Sequence, residues 1–105
     1  MIMAKKEFLT SNQLMEAVRK LDYKQQFKVC EAFYQMMSED GFGDDGEMGL
    51  RFQDSFTEIN PKYMEDSIKE LHFAVNDMDN AIYEIDIYEP ALFMRIVRAL
   101  EPMIK

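Results

Sequence analysis

The sequence contains few of the residues that most often build catalytic and metal-binding sites. It has one cysteine, one histidine and no tryptophan. A single cysteine excludes an intramolecular disulfide, and Cys30 lies on an apolar helical stripe, so we expect a small buried hydrophobe and not a reactive thiol. His72 stands in a row with acidic residues spaced by seven, which a helix places about 10 Å apart, too far to share one metal ion. We therefore expect an exposed histidine, no metal and no cofactor.

Long apolar runs and phosphate-binding loops are also missing. No window approaches the roughly 20 apolar residues of a membrane span, and the first residues lack the apolar run of a signal peptide. The glycines between residues 41 and 49 are followed by no Lys-Ser or Lys-Thr pair. No nucleophile, base and orienting group recur at recognisable spacings. These absences predict a cytoplasmic protein that is not an enzyme and does not associate with membranes.

The acidic residues are concentrated in the middle of the chain. The net charge is −8, and residues 39–89 hold fifteen acidic and three basic side chains, whereas the segments on either side are slightly basic. A domain with this balance repels phosphate, so we do not expect direct binding to DNA or RNA. A protein partner fits the charge better, and a basic one fits it best.

Two helices with a sharp break between them are predicted for the first part of the chain. Thr10 and Gln13 match a capping box, which starts a helix at residue 11. The apolar stripe of this helix cannot continue past residue 21 without burying polar side chains, and Asp22 is suited to cap a second helix. The turn has no glycine and the second helix has a thin basic face, which argues against a DNA-reading helix-turn-helix. The predicted helices span residues 11–21 and 23–38.

A glycine-rich acidic loop is predicted at residues 38–49. It contains all four glycines of the chain and five acidic residues. Neither possible alignment places its oxygen ligands in the register of an EF-hand, so we expect a solvated loop and not a calcium site. A short third helix follows over residues 50–59, because Phe52, Phe56 and Ile59 recur at helical spacing.

The most regular segment is a long helix at residues 60–85. Asn60 and Pro61 are a strong start signal, the first as the cap and the second at the first helical position. Seven apolar residues at alternating spacings of four and three share one side of this helix: Met64, Ile68, Leu71, Val75, Met78, Ile82 and Ile85. Asn and Asp residues near position 77 leave open a strand over residues 76–88, but the unbroken phase of the stripe favours a continuous helix.

Proline ends the long helix and brackets the next one. Pro90 restricts the residue before it, so the long helix stops there in either case. A last helix is predicted at residues 90–101, with Pro102 closing it and with Arg95 and Arg98 outside. Its inward residues are Phe93, Ile96, Val97 and Leu100.

The long helix also has a heptad register, with its apolar stripe at positions a and d. The g positions are Ser67, Ala74 and Ala81, which are small enough to allow close helix approach. Such a stripe serves either a coiled-coil dimer or the core of a bundle. Three heptads drift by about 60° relative to a straight helix, which a wide stripe absorbs without supercoiling, so the core of a bundle is favoured.

Three large apolar residues of the long helix lie off its stripe. Phe73 and Ile87 fall at f positions and Tyr83 at a b position, where a simple amphipathic helix is polar. Either other helices of the same chain cover them, or they form an interaction surface. We expect Phe73, Tyr83 and Ile87 to contact a protein partner or a second copy, which makes a homo-oligomer the expected assembly.

Acidic rows flank the stripe and suggest a second possible function. Positions e hold Glu65, Asp79 and Asp86, and positions c hold three more acids. Together with the loop they could present a phosphate-like surface to a basic groove, although a solvated face that confers solubility is the plainer interpretation. The residues of this candidate acidic surface are Glu39, Asp40, Asp44, Asp45, Glu47, Glu70, Asp77 and Glu84.

The sequence therefore predicts an all-α protein, a compact bundle of four to five helices around a long central helix, in one domain over residues 1–105. The expected function is a non-enzymatic, cytoplasmic protein–protein interaction module that self-associates or binds a protein partner. The alternative is a small acidic inhibitor, of the kind carried by phages or mobile elements, that occupies the basic groove of a DNA- or RNA-binding protein.

Overall fold

Helices account for nearly all of the described chain. The computed structural model describes residues 10–40 and 47–104, and within these ranges there is no strand. The expectation of an all-α bundle around a long central helix is confirmed. The five α-helices are α1 (Ser11–Arg19), α2 (Tyr23–Asp40), α3 (Glu47–Thr57), α4 (Ile68–Tyr88) and α5 (Pro90–Ile104), and a 3-10 helix (Pro61–Ser67) lies between α3 and α4.

Side-chain caps fix the start of α1 and the start of α2. The Gln13 N–H donates to the Thr10 hydroxyl and the Thr10 N–H donates to the Gln13 side chain, both at 3.2 Å, so the predicted capping box is present. Asp22 caps α2 by accepting from the Gln25 N–H at 2.8 Å. The buried amide of Gln26 donates to the carbonyl oxygens of Val18 and Arg19 at 3.3 Å each. This closes α1 two residues before the predicted end.

The predicted loop at residues 38–49 is too long at both ends. Helix α2 continues through Asp40 and α3 already begins at Glu47. Gly49 is buried in the first turn of α3. Residues 41–46 lie outside the described residues, and so does the prediction that this loop is solvated and holds no calcium site.

The long helix starts later than its capping signals indicate. Asn60 does cap a helix, since its side chain accepts from the Lys62 N–H at 3.0 Å, but that helix is the 3-10 segment. Tyr63 departs from helical geometry at φ −127° and ψ 57°, which kinks the chain. The Asn60 N–H also donates to the Ser67 hydroxyl at 3.2 Å, which closes the segment on itself. The α-helix proper begins only at Ile68.

From Ile68 onward α4 is unbroken, so the alternative of a strand over residues 76–88 is wrong. Burial of Met78, Ala81 and Ile82 on one face stabilises the helix through the segment of poor helix formers. The side chains of Asp77 and Asp79 bond to neighbouring helices, so they do not compete with the backbone of α4. Tertiary contacts thus decide the conformation here.

Helix α5 passes through the proline that was expected to end it. Phe93, Ile96, Val97 and Leu100 are buried as predicted, and Arg95 and Arg98 are exposed. Pro102 lies in the last turn, where its missing N–H removes a single intrahelical bond. Met103 and Ile104 beyond it pack against the core, which holds the last turn in place.

The core lies between α4 and the helices around it, and α4 contacts each of them. An aromatic cluster joins α2 to α3. Phe33 meets Phe52 edge to face with ring centroids 5.0 Å apart, and Phe56 stacks on Phe27 at 5.5 Å and on Tyr34 at 4.9 Å. Such pairs contribute about 1 kcal/mol each beyond their buried area. None of the described helices is long and apolar enough to span a membrane.

Candidate interaction surface

One side of α4 is committed to the core of the chain itself. The a and d residues Leu71, Val75, Met78 and Ile82 are buried, and Ile68 and Ile85 at its ends are half-buried. The small residues at the g positions, Ser67, Ala74 and Ala81, are also buried. The interpretation of the stripe as a bundle core is therefore confirmed, and it is not available as a coiled-coil seam to another chain.

The opposite side of α4 carries the three apolar residues predicted to contact a partner. Phe73 is 53% exposed, Tyr83 54% and Ile87 52%. Two exposed amides, Asn76 and Asn80, lie between them. Spacings of three and four place all five on one line along the helix. We call this line, made of Phe73, Asn76, Asn80, Tyr83 and Ile87, the outer stripe.

Helix α1 fastens one flank of α4. The Arg19 guanidinium pairs with the Asp79 carboxylate at 2.8 Å, and the Ser11 N–H donates to the Asp86 carboxylate at 2.9 Å. Asp86 thus satisfies a backbone donor at the first turn of α1, where the helix dipole favours negative charge. Two acids that the sequence places in an exposed row are in fact tertiary contacts.

Helix α3 fastens the other flank. The Ser55 hydroxyl donates to the carboxylate of Asp77, which is half-buried, as is Glu70 one heptad before it. Only Glu84 of this row is exposed. Because both flanks of α4 are bonded to neighbouring helices, the outer stripe is held on a rigid support.

The candidate acidic surface is therefore only partly available to a partner. Among its described side chains, Glu39 on α2 and Glu84 on α4 are exposed, and Asp77 is engaged by Ser55. These two exposed acids therefore lie on different helices. The side chains outside the described residues are those of Asp40, Asp44, Asp45 and Glu47.

Histidine and the other titratable groups form no compact constellation in the part of the chain that the structure describes. His72 is exposed, as expected, at an open cleft of about 320 Å³ that Arg19, Gln26 and Asn76 also line. No three His, Cys, Asp or Glu side chains among the described residues are placed to hold a metal ion.

Cys30 is fully buried on α2, as its place on an apolar stripe predicts. Burial raises the pKa of its thiol to about 12, because the thiolate loses its hydration in the core. The nucleophilic form is therefore suppressed at neutral pH. Cys30 acts here as a packing residue.

Sequence reasoning missed two features near the end of α4 and on α5. Tyr88 is 77% exposed although it occupies a core-side g position, and it is the last residue of α4. Glu101 is buried, and its Oε2 has no hydrogen-bond partner among the described residues. The available signal was its position four residues after Val97, at the edge of the apolar stripe of α5.

The chain matches no protein-family model, and neither the curated proteins nor the solved structures include one similar to it.

Proposed function

We propose that this chain is a non-enzymatic, cytoplasmic protein–protein interaction module that binds through the outer stripe of α4. The observation that carries the proposal is the exposure of Phe73, Tyr83 and Ile87, each more than half exposed on a helix whose other side is buried from Leu71 to Ile82. Exposed apolar residues that recur on one face support an interaction site, whereas scattered ones do not. Large aromatic anchors are the residue type that dominates binding energy at interfaces.

The setting of α4 supports the same function. Its flanks are bonded to α1 through Asp79 and Asp86 and to α3 through Asp77. A rigid helix loses little backbone freedom when a partner binds, so less of the contact energy is spent on ordering. Asn76 and Asn80 supply polar groups between the apolar anchors, and such groups select a register because a mismatched partner leaves them unsatisfied.

Charge substitution on the outer stripe tests the proposal. Phe73→Glu places a carboxylate in the interface and should abolish binding to a partner, or raise the dissociation constant at least about tenfold, since an unpaired buried charge is costly. Phe73→Lys should do the same, which separates loss of the apolar contact from added negative charge. The matched control is Leu50→Glu on α3, because Leu50 is 47% exposed and lies outside the stripe.

The readouts are light scattering of the pure protein and capture of partners from the native host, with circular dichroism to show that each variant keeps its helices. Binding that survives both Phe73 variants, or that Leu50→Glu removes equally, contradicts a role for the outer stripe.

The acidic inhibitor remains the alternative, and the observation that favours it is the net charge of −12 over residues 39–89. Reversal of Glu39 and Glu84 to Lys tests this alternative, because both side chains are exposed. The double variant leaves the hydrogen bond between Ser55 and Asp77 and the packing of α4 in place. An acidic decoy should lose binding in this double variant and as salt rises. Binding through the outer stripe should not weaken in this double variant or as salt rises.

A further inference from the structure

We infer that the partner of the outer stripe is a second copy of this chain, with the two α4 helices packed antiparallel about a twofold axis at Asn80. This inference rests on the proposed function and names its partner. It follows from the order of residues along the stripe, from the apolar area that the stripe exposes and from the charges at its ends.

The outer stripe is symmetric about its centre. Phe73 and Ile87 each lie seven residues from Asn80, so an antiparallel second copy brings Phe73 opposite Ile87 of that copy at both ends. Asn76 lies four residues before the centre and Tyr83 three after it, so these two come within about 1.5 Å of the same level. Each aromatic residue then meets a smaller residue or an amide, and Asn80 meets its own symmetry mate.

A parallel arrangement fits less well. It places every stripe residue opposite itself, so Phe73 meets Phe73, and the Asn76 amide faces its own copy and not the hydroxyl of Tyr83. It also aligns the two helix dipoles, which repel, whereas antiparallel dipoles attract. The antiparallel register is therefore the one that the residue order favours.

The exposed apolar area agrees with a weak dimer. A half-exposed side chain of this size offers roughly 100 Å², so three such residues on two copies supply about 600 Å². Because somewhat more than half of an interface is apolar, this corresponds to about 1,000 Å² in total. Specific interfaces start at about that area, which is the range of weak and transient contacts.

One pair of opposite charges lies near each end of the stripe in this register. Lys69 falls within two residues of the level of Glu89 of the second copy, and the pair occurs twice. On one flank, Glu84 lies opposite Asp77 of the second copy, and the two carboxylates repel each other. Each Asp77 is already hydrogen-bonded to Ser55 of its own chain. Each copy carries a net charge of −8, so their overall repulsion weakens the dimer and is screened by salt. Self-association should therefore strengthen as salt is added, the opposite of binding to a basic partner.

Oxidative cross-linking of the full chain tests the axis directly. In Asn80→Cys the two introduced thiols face each other across the axis, within the Cα separation of less than about 7 Å that a disulfide needs. In Asn76→Cys they are eight residues apart along the axis, about 12 Å, and cannot join. Both positions are exposed on the same stripe, and Cys30 is buried, so the two variants differ only in distance from the axis.

The expected result is that Asn80→Cys forms a disulfide-linked dimer at least tenfold faster than Asn76→Cys. Addition of Phe73→Glu to Asn80→Cys should lower its cross-linking rate to that of Asn76→Cys. Equal rates at the two positions overturn the inference in favour of a parallel or random encounter. A wild-type chain that light scattering shows as a monomer at every concentration and salt also overturns it. The proposed function is judged separately, by the effect of Phe73→Glu and Leu50→Glu on capture of another protein.

Discussion

Asp86 of α4 accepts a hydrogen bond from the backbone N–H of Ser11, at 2.9 Å and across 75 residues of sequence. This contact ties the first turn of α1 to the last third of α4, and Thr10 caps the same turn locally through Gln13. One end of α1 is thus held by its own sequence and by a distant carboxylate together.

Removal of this carboxylate should lower stability measurably. Asp86→Ala leaves the Ser11 N–H without its acceptor, and we expect the free energy of unfolding to fall by about 1 to 2 kcal/mol. Asp86→Asn keeps a side-chain oxygen that can accept, so it should lose less. The measurement is equilibrium urea unfolding, with exposed Glu84→Ala as the control. If Asp86→Ala unfolds at the same urea concentration as the control, the bond does not contribute.

Cys30 gives a prediction for alkaline pH. Burial raises the pKa of the Cys30 thiol to about 12 in the folded state, whereas in the unfolded chain its pKa is near 9. Between pH 9 and 12 the thiol therefore stays protonated in the folded state and is ionised in the unfolded state. The unfolded state is therefore favoured as pH rises from about 9 to 12, and this thiol lowers stability by up to about 1.4 kcal/mol per pH unit. The contribution is absent below pH 9.

The measurement is the pH dependence of unfolding in the wild type and in Cys30→Ala, whose difference isolates the thiol from other groups. The variant should show the shallower decline above pH 9, and equal slopes would contradict the assigned pKa. A thiol reagent at pH 8 should label the native protein only as fast as it opens.

The buried carboxylate on α5 gives a prediction of opposite sign. Glu101 is 9% exposed and its Oε2 has no hydrogen-bond partner among the described residues. A buried polar group without a partner is destabilising, so we expect Glu101→Met to raise the free energy of unfolding by about 1 kcal/mol. Glu31→Met on α2 controls for the general effect of removing one negative charge, since Glu31 is exposed. Thermal unfolding with a lower midpoint for Glu101→Met would show that this carboxylate is paired.

The features that sequence predicted well are those fixed by neighbours along the chain. The capping box of Thr10 and Gln13, the Asp22 cap and the a/d stripe of α4 depend on residues within one or two turns of each other. The same stripe explains the exposure of Phe73, Tyr83 and Ile87. The apolar a and d residues turn their side of α4 toward the core, so residues on the opposite side face solvent.

The features that sequence predicted poorly depend on residues far apart in the chain. Asp79 and Asp86 have the pattern of a solvated acidic row, and nothing local shows that Arg19 and the Ser11 N–H lie across from them. Asn60 and Pro61 mark the start of a helix, but not that it is a 3-10 segment kinked at Tyr63. Pro102 is a strong stop signal that the packing of Met103 and Ile104 overrides.

Backbone amide NMR shifts over a concentration series show directly whether copies of this chain meet through the outer stripe of α4. We expect the shifts that change with concentration to cluster at residues 73, 76, 80, 83 and 87, and added salt to enlarge these changes. Shifts that move on another face, or none that move up to millimolar protein, would contradict it.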